Sequence, residues 1–535
     1  MNEEFSGFVK AFTEKADNLS RKSNLAYFEA TISGKKEDYD RSAELEIERA
    51  KLYTSKEDFS KLKKWKDSGA ITDQLQKREL DVLYLAFLEN QIDDKKLEQM
   101  INMRTEIENK FSTYRTEVPG KKLTDNEVEE VLKTSTDNSE LKEVWLASKK
   151  IGGVVAGDVI KLAKLRNASA KELGFKNFHD MSLRLSEQDP DQIEKLFDEL
   201  DQLTRPAFIK LKKQMDTFLA KRYNIKENEL MPWHYQNRYF QEAPRIYNVD
   251  LDGYYKDKDI AELTKKYYSG IGLPIDEMVE KSDLYEKEGK YQHAYCTTIN
   301  REGDVRVVCN IKPNYNWMNT MLHEFGHAVY DRYTDHTLPW ELREPAHTFT
   351  TEAIAMMFGR FAASPVWMKD MLGISDAEKT KIAEESFNSL RLEQLVFSRW
   401  VQVVYRFEKS MYANPDQDLN KLWWDLVEKY QMIKRPENRS EPDWASKIHI
   451  SSYPCYYHNY MLGELLASQL YFHITEKVLH ASDIKNQSFM GRKEVGKFLT
   501  EKVFKPGRRF YWNDMIQKAT GEKLTAKYYA KQFVN

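Results

Sequence analysis

A chain of 535 residues is long enough to bury a large core, and 13% aromatic residues with only 21 Gly and 15 Pro describe a globular protein rich in helix rather than a disordered one. Lys+Arg 82 against Asp+Glu 85 leaves a net charge of -3, and neither sign gathers into a long block, which argues against nucleic acid or a membrane surface as partner. The three cysteines, Cys296, Cys309 and Cys455, are too few and too scattered for a disulfide framework or a cysteine zinc site, so a reducing cytosol is the expected compartment. MNEEFSGFVKAFTEK lacks the basic start and apolar stretch of a signal peptide, and no apolar run reaches transmembrane length.

In chain order, residues 1 to about 290 read almost entirely as helix, with apolar positions three and four apart, as at Leu80, Leu83 and Phe87 and at Val144, Ala147 and Ile151. Turn signals are short, such as SGKKEDYD from Ser33 and EQDPDQ from Glu187, where Pro190 opens a helix after an aspartate. No low-complexity linker or internal repeat marks a boundary, so a single catalytic domain over residues 1–535 is expected. From Tyr291 to Ile311, YQHAYCTTINREGDVRVVCNI alternates β-forming residues around an NREGD turn and predicts a β-hairpin. Helix returns after Pro313, since proline can start a helix but not sit within one. It continues to the end with breaks near Pro339, Pro365, Pro415, Pro436 to Pro442, Pro454 and Pro506.

The helix that follows Pro313 contains MNTMLHEFGHAVYDRY, Met318 to Tyr333. At about 1.5 Å rise and 3.6 residues per turn, His323 and His327 share one face roughly 6 Å apart along the axis, the register in which two imidazoles bind one zinc ion. Glu324 lies about 100° further round, placed to act on water as a general base. Gly326 lowers helix propensity by about 1 kcal/mol relative to alanine, so packing or close approach is its expected reason. An accidental HExxH occurs in roughly one chain in fifty of this length and composition, so the motif alone is not decisive. A catalytic zinc needs a third protein ligand. FTTEAIAMMFGR supplies Glu352, 25 residues after His327, at the start of an apolar helical run that a return loop of this length can pack across the first helix.

The stretch LPWELREPAHTFTTEAI resembles the phrase LPxxLREGxxxxxxEAI of the angiotensin-converting-enzyme family of zinc peptidyl-dipeptidases, relatives of the thimet oligopeptidase group. LKEVWLASKKIGG, LRNASAKELGFKNF, GIGLPIDEMVEKSDLYEKEGKYQHAYC and WASKIHISSYPCYYHNYMLGELLASQL extend the resemblance over most of the chain. It implies one Zn2+ per chain on His323, His327 and Glu352, with Glu324 as general base and acid. It further implies that His293 and Ala294 contact the peptide, His293 donating to the scissile carbonyl. By the same resemblance Lys447 is expected to hold the free carboxylate of the substrate and His449 its backbone, Tyr457 to bind the carboxylate and Tyr460 to stabilise the tetrahedral intermediate, with Tyr456 as the alternative in a register shifted by one residue. The implied fold is mainly α: an ellipsoid of two helical subdomains separated by a deep substrate channel, with lid helices in residues 1–290 and one small β-hairpin beside the active-site helix in residues 291–535.

Departures from the family pattern are specific. Gln292 stands where secreted relatives have a cysteine, so Cys309 has nothing nearby in sequence to bridge. Met356 stands where an aspartate often supports the metal site, leaving the partner of the zinc histidines open. An arginine tied to chloride activation is replaced by Asn459, or by His458 in the other register, and a glutamine that assists carboxylate binding has only Gln236 as a candidate. The expectation is hydrolysis of short peptides by a monomer or weak homodimer, with dipeptides released from the C-terminus; an oligoendopeptidase, another carboxypeptidase, and an inert helical peptide-binding scaffold are the alternatives.

Overall fold

The computed structural model describes residues 2–247 and 249–534. Helices dominate, and the described residues contain two sheets, each of two antiparallel strands. The expected mainly α class is therefore what the chain adopts. Its longest helices, Asn2–Ser33, Asn138–Glu172, Pro190–Tyr223 and Asp376–Ala413, follow the three-and-four spacing of their apolar residues. Their starts are encoded by side chains that take up orphan N–H groups: Asp137 accepts from Ser139 and Glu140, and Asp189 accepts from Asp191 and Gln192 with Pro190 at the first position.

One expectation fails inside this pattern. Pro206 sits within the helix Pro190–Tyr223, which continues through it because Leu200, Phe208 and Leu211 stay buried on either side, and their burial outweighs a cost of about 3 kcal/mol for proline in a helix interior.

The chain divides into two compact units, each built from separated segments. The first comprises Met1–Gln91, Val249–Ser386 and Leu462–Tyr528, and the second Ile92–Asn248, Phe387–Met461 and Tyr529–Asn535. In the first unit an aromatic cluster of Phe5, Phe12, Trp65, Phe87 and Trp340 joins the N-terminal helices to the turn Trp340–Leu342. In the second, Trp145, Trp400 and Trp444 are almost fully buried, and the helix Asn138–Glu172 meets the turn before Asp443–Ser446 so closely that a Cβ on Gly152 would lie 2.3 Å from the Pro442 carbonyl oxygen. Among the described residues no helix is long and apolar enough to cross a membrane.

The sheets differ from expectation in two ways. Strands β1 (Thr116–Val118) and β2 (Lys121–Leu123) form a second hairpin, turned by Pro119 and by Gly120 at φ +77°, in a region that reads as helix. Strands of three residues are too short to show alternation. The hairpin expected from Tyr291 to Ile311 is present as β3 (Tyr295–Thr298) and β4 (Val305–Val308), in register Tyr295 with Val308 through Thr298 with Val305. It is shorter than the stretch that predicts it, so His293 and Ala294 precede the first strand rather than lie on it.

The helix Tyr315–Tyr333 starts at Asn314, whose side-chain oxygen accepts from the Trp317 N–H, and the helix Thr348–Gly359 starts at His347. The two pack against one another with Gly326 facing Ala355: a Cβ on Gly326 would lie 2.7 Å from the Ala355 Cα. Asn319 Nδ2 donates to the Gly359 carbonyl at 2.9 Å and ties the far ends of the pair. Gly326→Ala should therefore overpack the contact and destabilise the fold by about 1–3 kcal/mol, visible as a lowered thermal midpoint; an unchanged midpoint would show that the helices are free to separate.

Candidate metal centre and carboxylate-binding cluster

One turn apart on their helix, the His323 and His327 rings have centroids 4.9 Å apart with planes at 80°. Glu352, on the crossing helix, brings Oε2 to 3.7 Å from His323 Nε2 and 3.8 Å from His327 Nε2. The ligand atoms of all three lie within 4.8 Å of one another. Ligand atoms around a tetrahedral zinc lie about 3.3 Å apart, a spacing that the two distances to Glu352 already approach. His327 Nδ1 is 2.8 Å from Thr351 Oγ1, a bond that orients the ring and leaves Nε2 for the metal. Thr351 is thus the partner that Met356 cannot be, and it stands immediately before the third ligand.

The electrostatics suit a dication. Burial lowers His323 to about 4, and burial together with His323 lowers His327 to about 3, so both imidazoles are neutral near pH 7 with lone pairs available. Burial, then the charge of Glu464, raises Glu352 to about 7, and burial, then Glu352, raises Glu324 to about 8. Among the described residues neither Glu324 nor Glu352 is paired with a lysine or arginine. Glu464 is itself held by Arg360. A bound dication supplies the charge that these buried carboxylates lack.

Around this trio the first unit adds less than the sequence suggests. His293 is exposed, its ring 5.3 Å from that of Tyr291, and no hydrogen bond or ring contact in the described residues joins it to the trio. Ala294 is half-buried. Beyond them β3 pairs with β4 alone, and the isolated bridge from Asp283 falls on β4 rather than β3.

The second unit gathers the other predicted residues into one cluster. Lys447 Nζ donates to Gln241 Oε1 at 2.6 Å and lies 5.0, 5.5 and 5.7 Å from the ring centroids of Tyr239, Trp400 and Tyr457. Tyr457 packs on His449 at 5.2 Å and on Tyr460 at 5.4 Å. Tyr456 packs on Tyr460, and the ring that meets both Lys447 and His449 is Tyr457. Burial, with Arg238 adding to it, lowers Lys447 to about 8, and burial then Lys447 lowers His449 to about 4. Burial raises Tyr457 to about 12.

Gln241 is the residue that sequence reasoning misses. Gln236, the candidate from sequence, turns its Oε1 to the Arg245 N–H at 3.0 Å. Gln241 lies in the irregular stretch 235–247, where no periodicity says which side chains converge; only its closeness to the buried PWHYQN run hints at it. Asn459, at the position of the chloride-associated arginine, is buried and accepts from Gln188 Nε2 at 2.7 Å, so this position offers a neutral amide in place of a cation.

Comparison with known proteins agrees with this geometry. The family model described as angiotensin-converting enzyme, a peptidase family, matches residues 1–237 and 244–533, and the chain belongs to that family. Carboxypeptidase 1 of Bacillus subtilis (strain 168) is 27% identical over 261 residues, 44% of this chain and 50% of that protein. Angiotensin-converting enzyme of Theromyzon tessulatum is 23% identical over 277 residues, 50% of this chain and 44% of that protein. The angiotensin-converting enzyme-like protein Ace3 of Mus musculus is 22% identical over 427 residues, 74% of this chain and 57% of that protein. The chain spans about half the length of these curated relatives.

Thr351→Val keeps the shape of the side chain and removes the acceptor for His327 Nδ1. It should weaken Zn2+ binding by about 10–100-fold in competition with a chromophoric chelator. Unchanged affinity would mean that the ring is oriented without Thr351.

Proposed function

We propose that this protein is a zinc-dependent peptidase that hydrolyses short peptides and releases dipeptides from a free C-terminus. The observation that carries the reading is the half-buried trio His323, His327 and Glu352 with Glu324 next in line, on two helices locked by Gly326. Family membership and the names of the relatives, a carboxypeptidase and angiotensin-converting enzymes, support it.

When bound by the trio, zinc supplies a Lewis acid that brings water toward a pKa of about 7. Glu324 takes the proton from the attacking water and returns it to the leaving amine. Tyr460 and His293 donate to the carbonyl oxygen as negative charge develops there, each contributing about 3 kcal/mol when aimed at that charge. Ala294 and His449 hold the peptide backbone. Lys447 and Tyr457 bind the terminal carboxylate, helped by Gln241. A buried ammonium bonded only to a neutral amide and surrounded by rings lacks an anion, and a substrate carboxylate supplies one. The free thiols of Cys296, Cys309 and Cys455 accord with a reducing cytosol as the place of action, and a monomer or weak homodimer suffices for this chemistry.

Digesting a mixed peptide library with the purified chain, and reading products by mass, tests the proposal. Dipeptides from the C-terminus, one zinc per chain and loss of activity with a chelator are expected. Glu324→Gln should keep the zinc and lower kcat at least a hundredfold. Internal cleavage would make the protein an oligoendopeptidase, single residues released would make it another carboxypeptidase, and a chain with neither zinc nor activity would be a scaffold.

Recognition by Lys447 also sets a pH dependence. The lysine is charged below about 8 in the free enzyme and loses its charge as pH rises through that value. For peptides with a free carboxylate, kcat/KM should fall above pH about 8, whereas C-terminally amidated peptides should lack this limb. Identical profiles for the two substrates would remove Lys447 from carboxylate binding.

A further inference from the structure

We infer that Glu408 is a positioning residue for the tyrosine segment: it holds Cys455 in a left-handed turn from which Tyr457 and Tyr460 take their places. The inference rests on the carboxylate-binding role proposed above. Cys455 has φ +58°, a conformation that crowds the Cβ of any L-residue and that glycine adopts freely. It is not glycine, it is buried, and it comes two residues before Tyr457 and five before Tyr460. Strain of this kind persists only where its surroundings over-determine it.

Those surroundings are on the long helix Asp376–Ala413 and on the helix Asn138–Glu172. Glu408 Oε1 accepts from the Cys455 N–H at 2.9 Å, and the carboxyl is only 3% exposed. Burial raises Glu408 to about 8, so near pH 7 it is largely a neutral carboxyl that serves the turn as an acceptor. Arg166 Nη2 donates to the Ser451 carbonyl at 2.8 Å and Nη1 to the Tyr412 hydroxyl at 3.2 Å, which fixes the chain just before the turn. Just after it, Gln188 bonds both His458 Nε2 and Asn459 Oδ1, each at 2.7 Å. The segment is therefore pinned on both sides, and within the turn the Cys455 N–H is satisfied by the Glu408 side chain. Removing its acceptor leaves a buried orphan donor and lets Cys455 relax to negative φ, which turns Tyr457 away from Lys447 and His449 and shifts Tyr460, which packs on it.

The test uses the full zinc-loaded chain and four variants, Glu408→Gln, Glu408→Leu, Glu408→Leu with Cys455→Gly, and Lys447→Met as reference. Two readouts are compared: the ratio of kcat/KM for a free-acid peptide to its C-terminal amide, and hydrogen exchange over residues 452–461. Glu408→Gln keeps an acceptor and should match the wild type in both. Glu408→Leu should lower the ratio roughly tenfold and speed exchange in this segment alone, with zinc content unchanged. Glycine at 455 accepts positive φ without strain and should restore much of the ratio. Unchanged exchange in Glu408→Leu, or faster exchange with an unchanged ratio while Lys447→Met loses it, would overturn the inference. If Lys447→Met keeps the ratio, the carboxylate reading is what has failed, and the exchange data with their rescue by glycine decide for or against the Glu408 anchor. Should Glu408→Leu not fold, Glu408→Asp decides: its oxygen falls short of the Cys455 N–H, and a wild-type ratio in that variant overturns the inference.

Discussion

The metal centre depends on Gly326 having no side chain. Packed helices normally keep their axes 8–10 Å apart, a spacing set by the side chains between them. At Gly326 nothing intervenes, and the Ala355 backbone comes to where a Cβ would otherwise sit. Only this approach lets a glutamate on one helix reach two histidines on the other. A second glycine repeats the device on the opposite flank: a Cβ on Gly463 would lie 3.2 Å from the Glu352 Cβ and 3.2 Å from the Met356 sulfur. Glu352 thus packs at its Cβ directly against the backbone of a second helix.

That packing has an electrostatic consequence. Burial and the neighbouring carboxylates penalise the charge of Glu324 and Glu352, and the neighbouring Glu464 is paired with Arg360. A bound cation would relieve this penalty.

Much of this centre was legible in the sequence because it obeys helical periodicity. His323 and His327 fall on one face at i and i+4, and Glu352 opens a second apolar run at a distance that a return loop can span. What stayed hidden obeys no period. Gln241 sits in irregular backbone, and Thr351 reads as an ordinary first-turn threonine until the crossing helix brings His327 to it. The hairpin β1–β2 is shorter than any alternation can reveal, and Pro206 is overruled by the packing of its neighbours. The division into two units leaves no trace in composition, because the chain enters each unit several times through helices of the same kind and through no linker.

Met356 and Asn459 show how such a family can change single positions without losing its chemistry. An aspartate beside the zinc ligands does two things, orienting a ring and adding negative charge. Thr351 takes over the first for His327, and Glu464 stands close enough to raise Glu352, which supplies the second. A charge can be moved to another element because electrostatic influence falls off gradually, whereas a hydrogen bond must be replaced within about 3 Å. At Asn459 the reverse holds: the position is neutral and bonded to Gln188, so its role is geometric, fixing the first turn of the tyrosine helix through His458 and Asn459 together. The positive charge of the cluster then rests on Lys447, held by a neutral glutamine and three rings that orient the ammonium without neutralising it. Among the described residues, the first unit thus holds carboxylates without a cationic partner, and the second holds an ammonium without an anionic one.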